Sequence, residues 1–242
     1  MTPLPQDPTA LGRMLPGGCA VCGGGEFIYG EVLWQSLVDE WQLVPAEVAY
    51  INIQQGLCCR FCGSNLRSMV LAHAICASMG HGGTLQAWVT SPSAQKIALL
   101  EINEAGSLTR HLLDLPGRLF ASYPEVDIHN LPFGENSFDL VVHSDTLEHV
   151  TNPTHALSEC RRVLRPGGTL AFTTPVVVGR MTRSRTGLTP SFHGAPEVRQ
   201  TDFLVHTEFG ADVWSFVIAA GFPSLTFYSG VFPAGLAITA RK

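Results

Sequence analysis

The chain is poor in charge and has no long apolar run. Charged residues make up 14% of its 242 positions, with 15 Lys and Arg against 20 Asp and Glu, for a formal net charge of −5. That balance argues against a general nucleic-acid binder, which needs a basic surface, although it leaves room for a small basic site. No stretch of about eighteen consecutive apolar residues occurs, so no membrane span is expected. The opening MTPLPQDPTALGRMLPGG lacks the apolar centre of a signal peptide. Repeats and low-complexity tracts are missing too. A soluble cytoplasmic protein is therefore the expectation. Hydrophobic residues, at 45%, supply ample core for one large α/β domain with a small appendage.

Seven cysteines are an odd number, and four of them form two C-x2-C pairs, Cys19/Cys22 and Cys59/Cys62. Without an export signal this favours metal ligation or free thiols over a disulfide framework. Each pair is followed by glycine, Gly23 and Gly63, which lets backbone amides turn toward the sulfurs. Four thiolates so spaced suit a closed, structural, tetrahedral zinc site; the plain alternative is a set of reduced core cysteines. Cys58 could replace Cys59, but only Cys59 keeps the spacing. Cys76 and Cys160 fall on apolar helical faces and read as core residues.

Residues 1–18 carry four prolines and read as an extended arm. The cysteine module spans 19–65, and 66–95 reads as a helix and a linker. Leu66, Met69, Val70, Ala74 and Ala77 recur at helical spacing, with Ser64 or Asn65 as cap and Gly80 as stop. An α/β pattern follows over 96–242. Lys96 to Ile102, Phe138 to His143 and Thr169 to Thr174 read as strands buried on both faces. A short helix is expected from Leu108 to Leu113. Pro153 to Leu164 places Ala156, Leu157, Cys160, Val163 and Leu164 on one helical face, with Asn152 as cap, Pro153 in the first turn and Gly167-Gly168 as terminator. Together these make a right-handed βαβ unit. Residues 176–207 are long, patternless and rich in Arg, Gly and Pro, which suits a lid. A last helix, Ala211 to Ala220, precedes two strands, Leu225 to Tyr228 and Leu236 to Ala240.

The order of elements over 96–242 resembles the class I S-adenosylmethionine-dependent methyltransferases. Three segments carry the likeness. Glu101-Ile102-Asn103-Glu104-Ala105-Gly106-Ser107 stands where that family has E-x-G-x-G-x-G, with Asn103, Ala105 and Ser107 in the glycine positions and Gly106 displaced by one. Asp127-Ile128 followed by Leu131-Pro132-Phe133 matches D-x-x-x-L-P-F. Ser144-Asp145 with Leu147-Glu148-His149-Val150 matches S-D-x-L-E-H-V. The tail of the cysteine module, CRFCGSNLRSMVLA, is similar to the C-x-x-C-G-S-x-x-R segment of a bacterial subgroup with a degenerate glycine loop. The resemblance implies a doubly wound, Rossmann-like, seven-stranded sheet with a small zinc module. It also implies S-adenosylmethionine held by Glu101, Asn103, Ala105, Gly106, Asp127, Ile128, His143 and Ser144, with Asp127 at the adenine amino group. Read without the family, Asp127 is a turn residue preceding a helix. No acid stands at the end of the second strand, near Ser122, to take the ribose hydroxyls; Glu125 lies close by.

Methyl transfer to oxygen or nitrogen is an in-line displacement helped by a base near neutral pKa. His149 and Asp145 are the catalytic candidates; His143 and His193 offer the same chemistry, and each histidine is alternatively a structural hydrogen-bonder. Glu148 and His149 could simply brace the next helix. Arg180, Arg183, Arg185 and Arg199 in the lid suit an acidic or phosphorylated acceptor, such as a glycan intermediate, or form a solvated face. The expected function is methyl transfer to a small-molecule or glycan-type acceptor. The alternative is a non-catalytic scaffold of the same fold, since the loop lacks its glycines.

Overall fold

The computed structural model describes residues 7–192 and 201–242. The first six residues of the arm, and His193 and Arg199 of the lid, lie outside the described residues. By contacts the chain divides into two compact units. One comprises Met1–Lys96, Gly106–Pro116 and Phe227–Ile238; the other comprises Ile97–Ala105, Gly117–Thr226 and Thr239–Lys242.

In the first unit, α1 (Thr9–Arg13) interrupts the expected extended arm, because Leu11 is buried and Gly12 packs against the Phe27 ring. Strand β1 (Phe27–Tyr29) pairs antiparallel with β2 (Leu57–Cys59), bringing the ends of the cysteine module together. Between them run α2 (Gln35–Glu40) and α3 (Pro45–Gly56), the latter opened by the Glu47 carboxylate accepting from the Val44 N–H at 3.0 Å. Helix α4 (Leu66–Ser78) starts where the spacing placed it. The Asn65 side chain accepts from the Ser68 N–H at 2.9 Å, and Leu66, Met69, Val70 and Ala74 are buried, whereas Ala77 is exposed. The expected linker contains one more helical turn, α5 (Leu85–Val89), with Leu85, Trp88 and Val89 buried. Five residues are too few for a periodicity signal. Helix α6 (Thr109–Leu112) is short.

The larger sheet is built from β3 (Leu99–Ile102), β4 (Arg118–Ala121), β5 (Phe138–Ser144), β6 (Leu164–Thr173), β10 (Leu225–Gly230) and β11 (Gly235–Arg241). Their order is β10-β11-β6-β5-β3-β4. The pairs β4–β3, β3–β5 and β5–β6 are parallel. The end of β11 meets the start of β6, where Gly167 N–H donates to Lys242 O (2.9 Å) and Lys242 N–H to Gly168 O (3.0 Å), so that edge runs antiparallel. The seven strands implied by the resemblance are six here among the described residues. Residues 122–137, with Pro124, Asp127, Asn130, Pro132, Gly134 and Asn136, turn repeatedly instead of extending.

Helix α7 (Pro153–Val163) links β5 to β6. Asn152 accepts from the His155 N–H at 3.1 Å, and Ala156, Leu157, Cys160 and Val163 are fully buried. Leu164 already belongs to β6, so the helix ends before the Gly167-Gly168 stop signal. The expected lid contributes to a small sheet in which β7 (Val176–Val177) and β8 (Arg183–Ser184) flank β9 (Thr207–Gly210), followed by α8 (Val213–Ala219).

One polar cluster fixes the turns between β4 and β5. Arg162 donates to both oxygens of Glu159 (2.7 and 2.8 Å) and to the carbonyls of Leu131 (2.9 Å) and Phe133 (2.8 Å). Glu159 in turn accepts from the Leu131 N–H at 3.1 Å. The L-P-F segment is thereby pinned to α7. We expect Arg162→Ala to lower the unfolding free energy by about 2 kcal/mol in urea titrations, because carbonyls and a part-buried carboxylate lose a charged donor. The Arg165–Asp139 bridge is half-exposed, and Arg165→Ala should cost less than about 1 kcal/mol. The Arg162 hydrogen bonds, with the Leu131 N–H, hold the Glu159 carboxyl below its ordinary range. Such a group stabilises fully above its unfolded pKa, and the contribution is lost as pH falls through the depressed folded value. Glu159→Gln should therefore shrink the loss of urea midpoint between about pH 6 and about pH 3.

Candidate functional site

The turn after β3 is organised by a buried charge. Glu101 has no exposed surface; one oxygen accepts from the Ala105 N–H at 3.0 Å and the other from Arg118 Nε at 2.6 Å. Between them Asn103 takes a left-handed conformation, φ 53°. Asparagine tolerates this better than most residues because its short amide bonds locally. Its N–H donates to Ala121 O (2.7 Å), its Oδ1 accepts from the Tyr123 N–H (3.0 Å), and its Nδ2 donates to Thr146 Oγ1 (3.3 Å). One side chain thus joins the carboxyl ends of three neighbouring strands.

Those ends open onto a cleft of about 600 Å³. This is where open α/β sheets hold their ligands. Of the residues picked from sequence, Asn103, Asp127, Ile128, Ser144, Asp145 and His149 line it. Glu101, Ala105, Gly106 and His143 do not. Glu101 and Ala105 are spent inside the turn, and Gly106, at φ 57°, faces Ser68 Oγ where a side chain would crowd it. His143 lies on the inward side of β5, fully buried and stacked on Phe172 (centroids 5.0 Å apart), and burial pushes its pKa down to about 4.

Ser144 bonds Thr173 Oγ1 at 2.8 Å, and Asp145, also left-handed at φ 46°, donates its N–H to Thr173 O at 3.0 Å. Asp127 is both a turn residue and a wall. One of its oxygens accepts from the His129 N–H and lies against His129 Nδ1, each at 2.8 Å, and these contacts hold its pKa low.

His149 Nδ1 lies 3.0 Å from the Leu204 carbonyl, which can only accept, so the proton sits on Nδ1 and Nε2 keeps the lone pair of the neutral ring. Nε2 is 3.7 Å from the buried Glu148 carboxylate, whose other oxygen accepts from Thr174 Oγ1 at 3.1 Å. The Glu148 carbonyl accepts from the His206 N–H at 2.7 Å. These bonds tie the segment 202–206 against the end of β5, where it adds Asp202, Phe203 and His206 to the cleft.

Sequence reasoning missed these residues, and also Tyr123 and His129. Only His129, two positions past Asp127, stood beside a recognised motif. Two of the lid arginines, Arg183 and Arg185, are held away from the cleft lining. Glu208, itself buried, accepts from Arg183 at 2.6 and 3.1 Å and from Arg185 Nη1, and Arg185 also reaches Thr189 O. A lone buried carboxylate is costly, and two guanidiniums offset that cost.

The first unit carries a second cluster. Cys19, Cys22, Cys59 and Cys62 hold their sulfurs within 4.8 Å of one another, with Cys19–Cys62 and Cys22–Cys59 at 3.6 Å. A tetrahedral ion with sulfur at about 2.3 Å needs sulfur separations of about 3.8 Å, so the donor set fits a metal. Gly23 (φ 82°) and Gly63 (φ 67°) close the two knuckles, donating to the carbonyls of Cys19 and Cys59. The cluster is braced from α6 and the turn before it: Ser107 donates to Ser64 Oγ at 2.8 Å, and Arg110 donates to the Cys62 carbonyl.

Residues 76–172 match a family model described as a methyltransferase domain, less than half of the chain. A phthiotriol/phenolphthiotriol dimycocerosates methyltransferase of Mycobacterium leprae is 35% identical over 96 residues, covering 39% of this chain and 34% of that protein. A ubiquinone/menaquinone biosynthesis C-methyltransferase of Haemophilus ducreyi is 35% identical over 88 residues, 34% of this chain and 33% of that one. Among solved structures, an S-adenosylmethionine-dependent methyltransferase from Mesorhizobium loti aligns with TM-score 0.40 and 15% identity over 65% of this chain and 95% of that one. The chain spans about a third of the length of the two curated relatives it matches here.

Proposed function

We propose that the protein is an S-adenosylmethionine-dependent methyltransferase acting on a small molecule, with structural zinc in the cysteine cluster. The observation that carries the reading is the cleft at the ends of β3, β4 and β5, lined by the Asn103, Asp127 and Ser144–His149 segments. When bound, the cofactor supplies an electrophilic methyl group. Asp127 is assigned to the adenine amino group, and the left-handed Asn103 to the backbone turn beneath the cofactor. Glu104, next to Asn103 in the lining, is our candidate for the ribose hydroxyls, because Glu125 lies outside the cleft. His149 Nε2 is assigned to accept a proton from the acceptor, with the nearby Glu148 carboxylate favouring the imidazolium that forms. Arg183 and Arg185, both paired with Glu208, lend no support to a phosphorylated glycan. No helix among the described residues is long and apolar enough to cross a membrane.

A non-catalytic scaffold whose cleft no longer takes the cofactor is the second reading, favoured by the absence of a carboxylate at the end of β4. Calorimetry separates the two. We expect S-adenosylmethionine and S-adenosylhomocysteine to bind; no heat at millimolar ligand would refute the enzyme reading and leave the scaffold.

Asn103→Val should weaken S-adenosylhomocysteine binding by about tenfold or more, since a β-branched residue resists positive φ and loses both amide bonds. Asn103→Gly keeps the conformation and should cost less. Elemental analysis should find one zinc per chain. Cys22→Ser should lose the metal and lower the melting temperature, because binding energy at such a site is folding energy.

A further inference from the structure

An aspartate on a surface turn can point many ways, and His129 is what aims Asp127. Two donors of His129, its backbone N–H and its ring Nδ1, reach the same Asp127 oxygen, Oδ1, each at 2.8 Å. A carboxylate can only accept, so Nδ1 carries the ring proton. Across the ring, Nε2 lies 3.2 Å from the Asn152 N–H, which can only donate, so Nε2 carries the lone pair. Two unlike neighbours thus require the same neutral tautomer. The His129 N–H bond leads the contacts that hold the Asp127 pKa low, so the carboxylate stays ionised and accepts only. Among the described residues no donor bonds its other oxygen, Oδ2, and Asp127 lines the cleft.

The ring is held in place by α7. His155 stacks on it, with centroids 6.1 Å apart and planes inclined by 16°, and the His155 N–H donates to the Asn152 side chain at 3.1 Å. The same helix grips the turn again through Arg162 and Glu159, which bond Leu131 and Phe133. Segment 127–133 is therefore tied to α7 at both of its ends. A carboxylate with one oxygen bonded twice and its support fixed loses little freedom when a ligand arrives. A ligand that brings a donor to Oδ2 gains a charge-assisted bond. A ligand of the same shape without that donor leaves the ionised oxygen without a partner.

We propose that His129 is a positioning residue which, by fixing Asp127, gives the cleft its selectivity for a purine bearing an exocyclic amino group. This rests on the methyltransferase reading and on the assignment of Asp127 to the adenine amino group. His129 acts through Asp127: its Nδ1–H and N–H take Oδ1, and Oδ2 is left to accept from the purine.

The test is a cycle on the full chain, by calorimetry with S-adenosylhomocysteine and with its desamino analogue, which has hydrogen in place of the purine amino group. We expect the wild type to bind the analogue about tenfold more weakly. His129→Leu keeps much of the bulk without donor or acceptor, and should shrink that difference to about twofold or less by weakening S-adenosylhomocysteine alone. His129→Asn can place an amide nitrogen near the position of Nδ1 and should keep a difference of about tenfold. A ring needed only for folding would weaken both ligands alike and leave the difference unchanged. A full difference in His129→Leu, or its loss in His129→Asn, overturns the inference. Long-range proton–nitrogen NMR spectra of the wild type at about pH 8 should show the Nδ1–H tautomer at His129. The Nε2–H tautomer overturns the inference too, whether or not His129→Leu folds. Equal binding of the two ligands by the wild type removes the Asp127 assignment and the inference with it. No binding of S-adenosylhomocysteine removes the methyltransferase reading as well, so each failure has its own signature.

Discussion

The cleft depends on one buried carboxylate. Glu101, one residue before the end of β3, has no access to water, and a charge so placed is tolerated only when its oxygens are paired. Arg118 takes one oxygen from the neighbouring strand, and the Ala105 N–H takes the other from the far side of the turn. The second bond fixes how the chain reverses, and the first fixes where β4 stands relative to β3. With both set, Asn103 can reach Ala121, Tyr123 and Thr146 together. The three strand ends are therefore positioned by side-chain bonds as well as by the ladder.

The facing wall is held differently. Segment 202–206 is attached through main-chain groups, the Leu204 carbonyl and the His206 N–H, to His149 and Glu148. Just beyond it Glu208 gathers Arg183 and Arg185, knitting β8 to β9. A composition rich in arginine suggested recognition of anions. The structure uses two of those arginines to neutralise a buried acid.

Much of the frame was legible in the sequence. Continuous apolar runs named β3, β5 and β6, and Asn152-Pro153 fixed the start of α7 because caps and first-turn prolines act within a few residues. The two C-x2-C pairs converge as their spacing suggested. What escaped were features made by distant partners. α5 is too short to show a period. His206 and Phe203 enter the cleft through backbone bonds that no residue pattern encodes. His143 and Ser144 are adjacent and both polar, yet strand alternation sends one into the core and the other to the cleft. The resemblance implied a seventh strand that the turn-rich 122–137 does not form.

The eroded glycine loop looks different once its bonds are counted. Glycine accepts positive φ without penalty but offers no side chain and leaves a turn entropically loose. Asparagine at 103 pays about 1 kcal/mol for the left-handed conformation and regains more through two amide bonds. Ala105 contributes its N–H to Glu101 and needs no side chain to do so. Ser107 turns away to Ser64, next to the Cys62 knuckle. Asn103 and Ser107 each exchange freedom for a specific tie. The loop is thus tied down by two side chains where a glycine-rich loop would depend on backbone alone.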